Sequence, residues 1–358
     1  VTGSAVSEFV NKNIAWEKKK STNIGIDLAM FNNRFEFTAE WYKNRSEDLL
    51  YGVPVPTQTG VANATVTMNA ASMDNSGFEF SATYRNHDHP FKYDVSANLS
   101  TLKNKVTSLG FGTTSYITGA YATYVGQEIG QFYGWVYEGI ARTQSDLDNH
   151  ATQQGANLGD CLYKDISGPN GEPDGVIDAY DQTVLGSGLP KVNFGLSAHM
   201  EYKNFDLSIS TYGVLNYHVS DDIYNSLNSC YGWGNKDVAM ADANRFSADG
   251  STYISSVPRT YAANKATLAW NDLFSSRKIQ NAAYWKIANV ELGYNFPDQW
   301  FRGLVSGVRV YVSAQNLYTF TGYKGYNVDY AGGTFTPGYN FCSFPSARSF
   351  MAGLHFTF

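Results

Sequence analysis

The sequence predicts an all-β fold, a transmembrane antiparallel β-barrel, and three observations support the prediction. Apolar and polar residues alternate with period two along stretches that exceed the ~5–6 residues of an average soluble strand and approach the ~9–11 of a membrane-crossing strand. Aromatic residues make up 15% of the 358 residues and charged residues only 16%, as expected for strands that turn one face to lipid. Short connections between these stretches alternate with long ones.

The alternation recurs in nine stretches. In the first, Ile24, Ile26 and Leu28 share one face of a strand, because side chains two residues apart point the same way. In the last, the same face runs from Phe350 to Phe358. The predicted strands are 22–31, 34–41, 75–85, 91–102, 192–202, 205–217, 285–296, 307–316 and 348–358.

The connections between these strands fall into two classes. Short links alternate with long excursions. Three of the short links are tight, at Asn32-Asn33, at 87–90 and at Lys203-Asn204, and a fourth, at about 297–306, is of moderate length. Outer-membrane barrels have short periplasmic turns and longer extracellular loops. The long connections are therefore predicted to be extracellular; they are 46–74, 103–190, 218–283 and 319–346.

The strand count bears on domain organisation. Nine is odd, whereas single-chain bacterial barrels have even strand numbers, and lipid does not tolerate an open sheet edge. Residues 1–358 are therefore predicted to be the C-terminal part of a larger barrel whose plug domain and first strands are absent from this chain. A soluble β-sandwich or secreted β-rich lectin is the alternative, since it shows the same alternation in shorter strands.

Composition and motifs exclude several other classes. A net charge of -6 without a basic stripe excludes a nucleic-acid partner, and no apolar run approaches the ~18 residues of a membrane helix. The sequence has no G-x-S-x-G, P-loop or HExxH motif, so it is not predicted to be an enzyme. Of the three cysteines, Cys161 and Cys230 fall in predicted extracellular loops, and a disulfide between them stays open.

The segment 165–181 has the spacing of a calcium-binding loop. Gly175 takes the place of the turn glycine and Asp181 that of the last ligand. Carboxylates gathered in one turn repel each other unless a divalent cation binds them. The alternative is a solvated acidic turn. The prediction is a structural divalent cation, calcium before magnesium, held by Asp174, the carbonyl of Val176, Asp178 and Asp181, completed by Asp165 or Asn170.

Several short stretches, in their order and spacing, resemble the C-terminal half of the SusC/RagA family of TonB-dependent outer-membrane transporters. They are NIAWEK (13–18), NIGID (23–27), FNNR (31–34), DLLY (48–51), MDNSGFE (73–79), IGQFYG (129–134), DGVID (174–178), WKIANV (285–290) and SAQNL (313–317). The resemblance implies a barrel of about 22 strands, an N-terminal plug and a SusD-like surface lipoprotein as lid. It also implies a DGxID loop shared by many members, which supports the cation prediction.

By the same resemblance, the predicted function is import of oligosaccharides or peptides across the outer membrane, driven by the TonB complex through an N-terminal region absent from this chain. A non-transporting barrel that acts as an adhesin or surface-binding scaffold is the alternative. The sequence does not distinguish a glycan substrate from a peptide substrate, because binding sites for both use aromatic and scattered polar groups. Loop aromatics either line a substrate cavity or pack the loops; they are Tyr116, Tyr121, Tyr124, Tyr231, Trp233 and Trp270.

Overall fold

The computed structural model describes residues 11–54, 58, 65–110, 112–230, 235–260, 270–300, 305–329 and 332–357. Within these ranges the regular structure is mostly antiparallel sheet, and the helices are short. None of the described helices is long and apolar enough to cross a membrane.

One large sheet contains all nine predicted strands, which confirms them. Each strand pairs with the next along the chain, so their order in space follows their order in sequence. The strands are β1 (Lys18–Met30), β2 (Phe35–Pro54), β3 (Thr65–Asn86), β4 (Phe91–Thr101), β5 (Val192–Tyr202), β6 (Phe205–Leu215), β7 (Tyr284–Phe296), β8 (Gly307–Thr321) and β9 (Ser349–Thr357). A tenth strand, Lys103–Ser108, follows β4 and pairs with β3. The predicted last residue of β9, Phe358, lies outside the described residues.

The register gives the sheet one apolar and one polar face. Ile24, Trp41 and Phe78 lie opposite one another on β1, β2 and β3, and directly opposed residues share a face. This face stays open to the surroundings, with Leu354 62% and Val312 54% exposed. A continuous exposed apolar face on long strands is typical of a barrel wall that contacts lipid.

Strands β2 and β3 are longer than the alternation predicts. Their pairing continues to Pro54 and Thr65, so the prediction of a loop over all of 46–74 is wrong, and much of that segment is a two-stranded ribbon. The register shifts between Ser46 and Leu50, where Asp48 has a φ of 57°. A bulge of this kind breaks the period-two pattern without ending the strand.

The tight links are turns, as predicted. Phe31, Asn32 and Asn33 all have positive φ, and the Arg34 N–H donates to the Phe31 carbonyl at 3.3 Å. Asparagine tolerates this left-handed conformation better than most residues. The fourth, longer link contains a one-turn 3-10 helix, Asp298–Trp300.

The long connections contain small elements of their own. In 103–190, strands Ser115–Thr118, Tyr121–Tyr124, Gln131–Gly134 and Thr183–Gly186 form one sheet, and Tyr137–Ile140 pairs with Cys161–Tyr163. The same connection contains the helix Gln144–Asp148 and the 3-10 turn Ala179–Asp181. In 218–283, strand His218–Asp221 pairs with Gln280–Asn281 and with Tyr339–Asn340, and the helix Asp222–Leu227 follows it. The remaining elements are the 3-10 turns Val238–Asp242, Trp270–Asp272 and Ser276–Lys278 and the strand pair Gly332–Gly333 with Thr336–Pro337.

Buried apolar side chains cluster where the long connections meet one another and the sheet. One cluster includes Tyr51 and Ala71 of the β2–β3 ribbon with Val106, Leu109 and Ile129. A second joins residues of β6 and β7 to the connection after β8. The connections therefore form a packed cap at one end of the sheet.

Candidate functional site

The acidic segment 165–181 is a turn organised around Asp181. The Asp181 carboxylate is fully buried and accepts hydrogen bonds from the backbone N–H groups of Ile166 (2.7 Å), Ser167 (3.1 Å) and Asp178 (2.8 Å). Three charge-assisted bonds of this kind stabilise a buried carboxylate without a cation. Asp181 therefore acts as the internal brace of the turn.

The other acidic side chains of the turn also accept backbone hydrogen bonds. Asp165 Oδ2 accepts from the Gly175 N–H (2.7 Å), and Asp174 Oδ1 accepts from the Val176 N–H (3.0 Å). Gly175 has a φ of 82°, as a turn glycine requires. Asp165 Oδ1 is shielded from solvent and has no hydrogen-bond partner among the described residues.

The predicted cation ligands thus share one turn without forming a closed ligand shell. Asn170 is exposed, and the backbone of Val176 bridges to Thr152. Across the part of the chain that the structure describes, no three His, Cys, Asp or Glu side chains form a group that could hold a metal ion. Cation binding at this turn stays a prediction.

A buried polar network around Asn271 joins connection 103–190 to connection 218–283. Asn271 is 1% exposed; its Oδ1 accepts from the Cys161 N–H (2.6 Å) and its Nδ2 donates to Asp160 Oδ1 (2.8 Å) and to the Arg259 carbonyl (3.0 Å). Asp160, 2% exposed, also binds the Arg259 guanidinium through two bonds of 2.5 and 2.7 Å. The hydrogen-bonded Asp160 carboxylate raises the pKa of Arg259. The network fixes the two connections in one arrangement.

A second buried junction joins three chain segments at Asp221. Its Oδ2 accepts from the Tyr323 hydroxyl and from Asn340 Nδ2 (3.0 Å), while its Oδ1 caps the helix Asp222–Leu227 through the Tyr224 N–H (2.7 Å). Burial, together with the bond to Asp221, raises the pKa of the Tyr323 hydroxyl. The connections after β6 and β8 are therefore packed into one body.

The same body is tied to the polar face of the sheet at Lys286 of β7. Lys286 is 3% exposed and pairs with Asp329, whose Oδ1 also accepts from the Tyr212 hydroxyl (3.2 Å). A cavity of about 350 Å³ next to this pair is lined by Lys286, Tyr326, Arg348 and other mainly polar residues. Its hydrogen-bonding groups and aromatic rings have the chemistry to hold one unit of a polar oligomer.

Sequence reasoning missed Asn271, Asp160, Asp221 and Lys286. The Asn271–Asp160 contact spans 111 positions of the chain. No local spacing marks such a pair, because the contact exists only after the connections have folded against each other.

The loop aromatics are divided by the structure. Trp270 and Tyr121 are each 6% exposed and pack within the cap, and Tyr116 packs against Tyr51 and Phe335. Tyr231 and Trp233 lie outside the described residues. For Trp270 and Tyr121 the packing interpretation is confirmed.

Both cysteines of the predicted loop pair are free, buried thiols, while Cys342 is exposed. Burial raises the pKa of Cys161 and of Cys230 to about 12, and the thiolate is the reactive form. We therefore expect maleimide at mildly alkaline pH to label Cys342 in the native full-length protein and to leave the other two unlabelled. Mass mapping of labelled peptides checks this, with protein unfolded in urea as the control in which all three react. Labelling of native Cys161 as fast as Cys342 would contradict it.

The fold and the cap define a class of protein: a membrane barrel whose long connections are packed into an ordered body at one end. The family described as TonB dependent receptor-like, beta-barrel, matches residues 2–317. TonB-dependent receptor P3 of Formosa agariphila is 30% identical over 378 residues, which cover 100% of this chain and 36% of the relative. TonB-dependent receptor SusC of Bacteroides thetaiotaomicron is 27% identical over 362 residues, which cover 97% of this chain and 32% of the relative. A solved structure of the RagAB peptide transporter has a TM-score of 0.76 at 22% identity, with 97% of this chain and 36% of that chain covered.

The chain belongs to the TonB-dependent receptor β-barrel family. This family consists of outer-membrane proteins and not of enzymes, which confirms both predictions. The chain spans about a third of the length of these relatives. The strand order, the long strands and the lipid-type face all agree with the assignment.

Proposed function

We propose that this chain is the C-terminal part of the barrel of a TonB-dependent importer that takes up oligomers across the outer membrane. The match to the receptor family over residues 2–317 carries the proposal. The polar inner face of the sheet supports it, because a solute that crosses the membrane needs a polar lining. Coupling to TonB is assigned to a part of the protein outside these 358 residues.

A SusD-like surface lipoprotein is the proposed partner. The relatives named SusC and RagAB motivate this choice, and the ordered cap gives such a lid a defined surface to contact. The Asn271 and Asp221 networks lock the cap, so a lid docking there would not have to order loose loops and lose affinity to that entropy cost.

The proposed substrates are oligosaccharides or peptides. RagAB is described as a peptide transporter, and the cavity beside Lys286 offers aromatic and polar groups that suit either class. Both classes are polar oligomers, and both use stacking together with hydrogen bonds.

Uptake by living cells tests the proposal. Cells that express the full-length protein should accumulate either fluorescent oligosaccharides or fluorescent peptides, and accumulation should stop when TonB is deleted. The matched control is the same strain with the receptor gene deleted. Surface binding that is unchanged without TonB, with no internal signal for either class, would instead support the adhesin interpretation.

We also propose that the turn 165–181 binds a structural divalent cation through Asp165 or Asn170 with Asp174, the Val176 carbonyl, Asp178 and Asp181. Asp165 Oδ1 is shielded from solvent and has no hydrogen-bond partner among the described residues, which supports a cation bound beside it. Calcium would show six to eight oxygens at ~2.3–2.6 Å, and magnesium an octahedron at ~2.0–2.1 Å.

Limited proteolysis of the full-length protein checks the cation. Calcium should slow cleavage within 165–181 relative to chelator, and Asp174→Ala with Asp178→Ala should abolish that difference while the barrel melts at nearly the same temperature. Glu172→Ala, an exposed acidic residue of the same turn outside the ligand set, is the control and should keep the protection. The readout is the calcium dependence, because Asp178 also caps the Ala179–Asp181 turn and its loss alone loosens the segment. Equal cleavage of the unmodified protein with calcium and with chelator would end the proposal.

A further inference from the structure

Basic side chains line the outward face of β1 to β3 and of strand Lys103–Ser108, directly beyond the apolar lipid-type face. The last apolar row across these strands is Ile24, Trp41 and Phe78. The next outward row contains Lys43 and Lys103, which both lie opposite polar partners on the neighbouring strands. The row after that contains Lys20, Arg45 and Lys105, with Lys18 beyond it. We call these six residues the basic band.

The parity of the strands places the basic band on the outside of the wall. Strand β2 has no bulge between Trp41 and Arg45, so Lys43 and Arg45 continue its apolar face. Lys103 and Lys105 are exposed, whereas Asn104 and Val106, which alternate with them along the strand, are buried against the cap. The band thus faces away from the inner, polar side of the sheet.

The band has an excess of positive charge. Its six cations pair with only three carboxylates: Lys18 with Asp48 (2.8 Å), Lys20 with Glu47 (2.7 Å), Lys43 with Asp74 (3.1 Å) and Arg45 with Glu47 (2.9 Å). Lys105 lies directly opposite Asp74 on β3, but the Asp74 carboxylate pairs with Lys43 and Arg45 instead, and within the described residues neither Lys103 nor Lys105 forms an ion pair. At the opposite end of β1 to β3 the outward face instead carries an apolar and aromatic row, Met30, Phe35 and Tyr84, and these described strands have no Lys or Arg on that face there.

We propose that the basic band binds the phosphate groups of anionic lipids in the membrane leaflet on the side of the long connections. Residues just beyond an apolar lipid-contacting row lie at headgroup level, where clustered Lys and Arg attract anionic lipid. Neighbouring strands lie ~4.8 Å apart, so the band is wide enough for several cations to contact one phosphorylated headgroup. The proposal rests on the outer-membrane assignment and on the extracellular placement of the long connections.

The clean test removes the two unpaired lysines. Lys103→Gln with Lys105→Gln leaves no carboxylate without its partner, so the wall should keep its melting temperature in detergent alone. The probe is lipid A bearing its phosphates, titrated into micelles of the full-length protein while the melting temperature is followed. At about 1 kcal/mol per basic residue near the headgroups, the variant should bind the lipid about 30-fold more weakly. The control, Lys92→Gln with Lys203→Gln at the other end of the strands, should bind like the unmodified protein.

Three results would overturn the proposal. If dephosphorylated lipid A stabilises the protein equally, the acyl chains and not the phosphate groups account for binding. Inorganic pyrophosphate that stabilises it equally would indicate a soluble anion site. An unchanged lipid titration in the double variant would remove the band from the contact. None of these readouts measures uptake. A failure of the import proposal would therefore leave them unchanged, and the two failures can be told apart.

Discussion

Replacing Gly77 by alanine is expected to prevent normal assembly of the barrel wall. Gly77 of β3 lies opposite Tyr42 of β2, at the point where the neighbour of β3 changes from β4 to strand Lys103–Ser108. There the Thr101 carbonyl turns toward Gly77 and accepts a hydrogen bond from the Tyr42 hydroxyl (2.9 Å). An added methyl group would overlap the carbonyl oxygen, come within 2.8 Å of its carbon and lie 2.9 Å from the Tyr42 hydroxyl.

The obstacle is backbone, which cannot rotate away as a flexible side chain can. Overpacking of a fixed site costs about 1–3 kcal/mol and occasionally more, and we expect Gly77→Ala at or above the upper value. Gly25→Ala is the matched control on β1, because its methyl group would meet nothing closer than 3.4 Å. We expect the control to change stability by about 0.5 kcal/mol or less. Heat-modifiable mobility of the full-length protein on gels measures both; equal amounts of folded Gly77→Ala and Gly25→Ala would show that the contact is not needed.

The strands could be predicted from the sequence because every second residue of a lipid-facing strand is apolar. Prediction failed where a bulge shifts that period. Asp48 on β2 and Asn316 on β8 both have positive φ, and each strand continues past its predicted end, β8 as far as Thr321. A bulge keeps the strand paired but exchanges the two faces. Alternation alone therefore cannot predict that the strand continues past the bulge.

The cap could not be predicted because its residues are specified by distant partners. The acidic turn was visible as a spacing, and the structure confirms its turn glycine, Gly175. The structure also shows Ile177 buried beside Trp270. The networks that join the long connections depend on Asn271 and Asp221, single polar residues with no local sequence pattern around them. Their effect comes from burial, since a buried polar group without its partner costs ~1–3 kcal/mol.

The second large effect is expected at Arg309, on the inner face of the wall. Arg309 of β8 binds Asp206 of β6 through Nε (3.0 Å) and a second bond, and binds Glu291 of β7 (2.7 Å). Asn295 Nδ2 completes the site by donating to Asp206 at 2.9 Å. The guanidinium passes over Gly293, where an added Cβ would collide with it. One cation therefore links three neighbouring strands.

We expect Arg309→Met to destabilise the full-length barrel by about 2–4 kcal/mol. Removing one partner of a buried ion pair costs ~3–5 kcal/mol, and we expect a smaller loss here because the Arg309 side chain is 24% exposed. The loss arises because Asp206 and Glu291 remain as two carboxylates on adjacent strands with no cation between them. Adding Asp206→Asn to Arg309→Met should therefore recover part of the stability, as a double-mutant cycle would show.

Lys92→Met provides the control for this prediction. Lys92 also lies on the inner face, but its pair with Glu201 is 3.8 Å long and both side chains are about half exposed. Exposed pairs of this kind contribute about 0–1 kcal/mol, so the control should melt close to the unmodified protein. Melting temperatures in detergent, read from heat-modifiable gel mobility, compare Lys92→Met, Arg309→Met, Asp206→Asn and the Arg309→Met/Asp206→Asn double variant. Similar small losses for Arg309→Met and Lys92→Met, with no recovery on adding Asp206→Asn, would show that the three strands are held together by their backbone ladders alone.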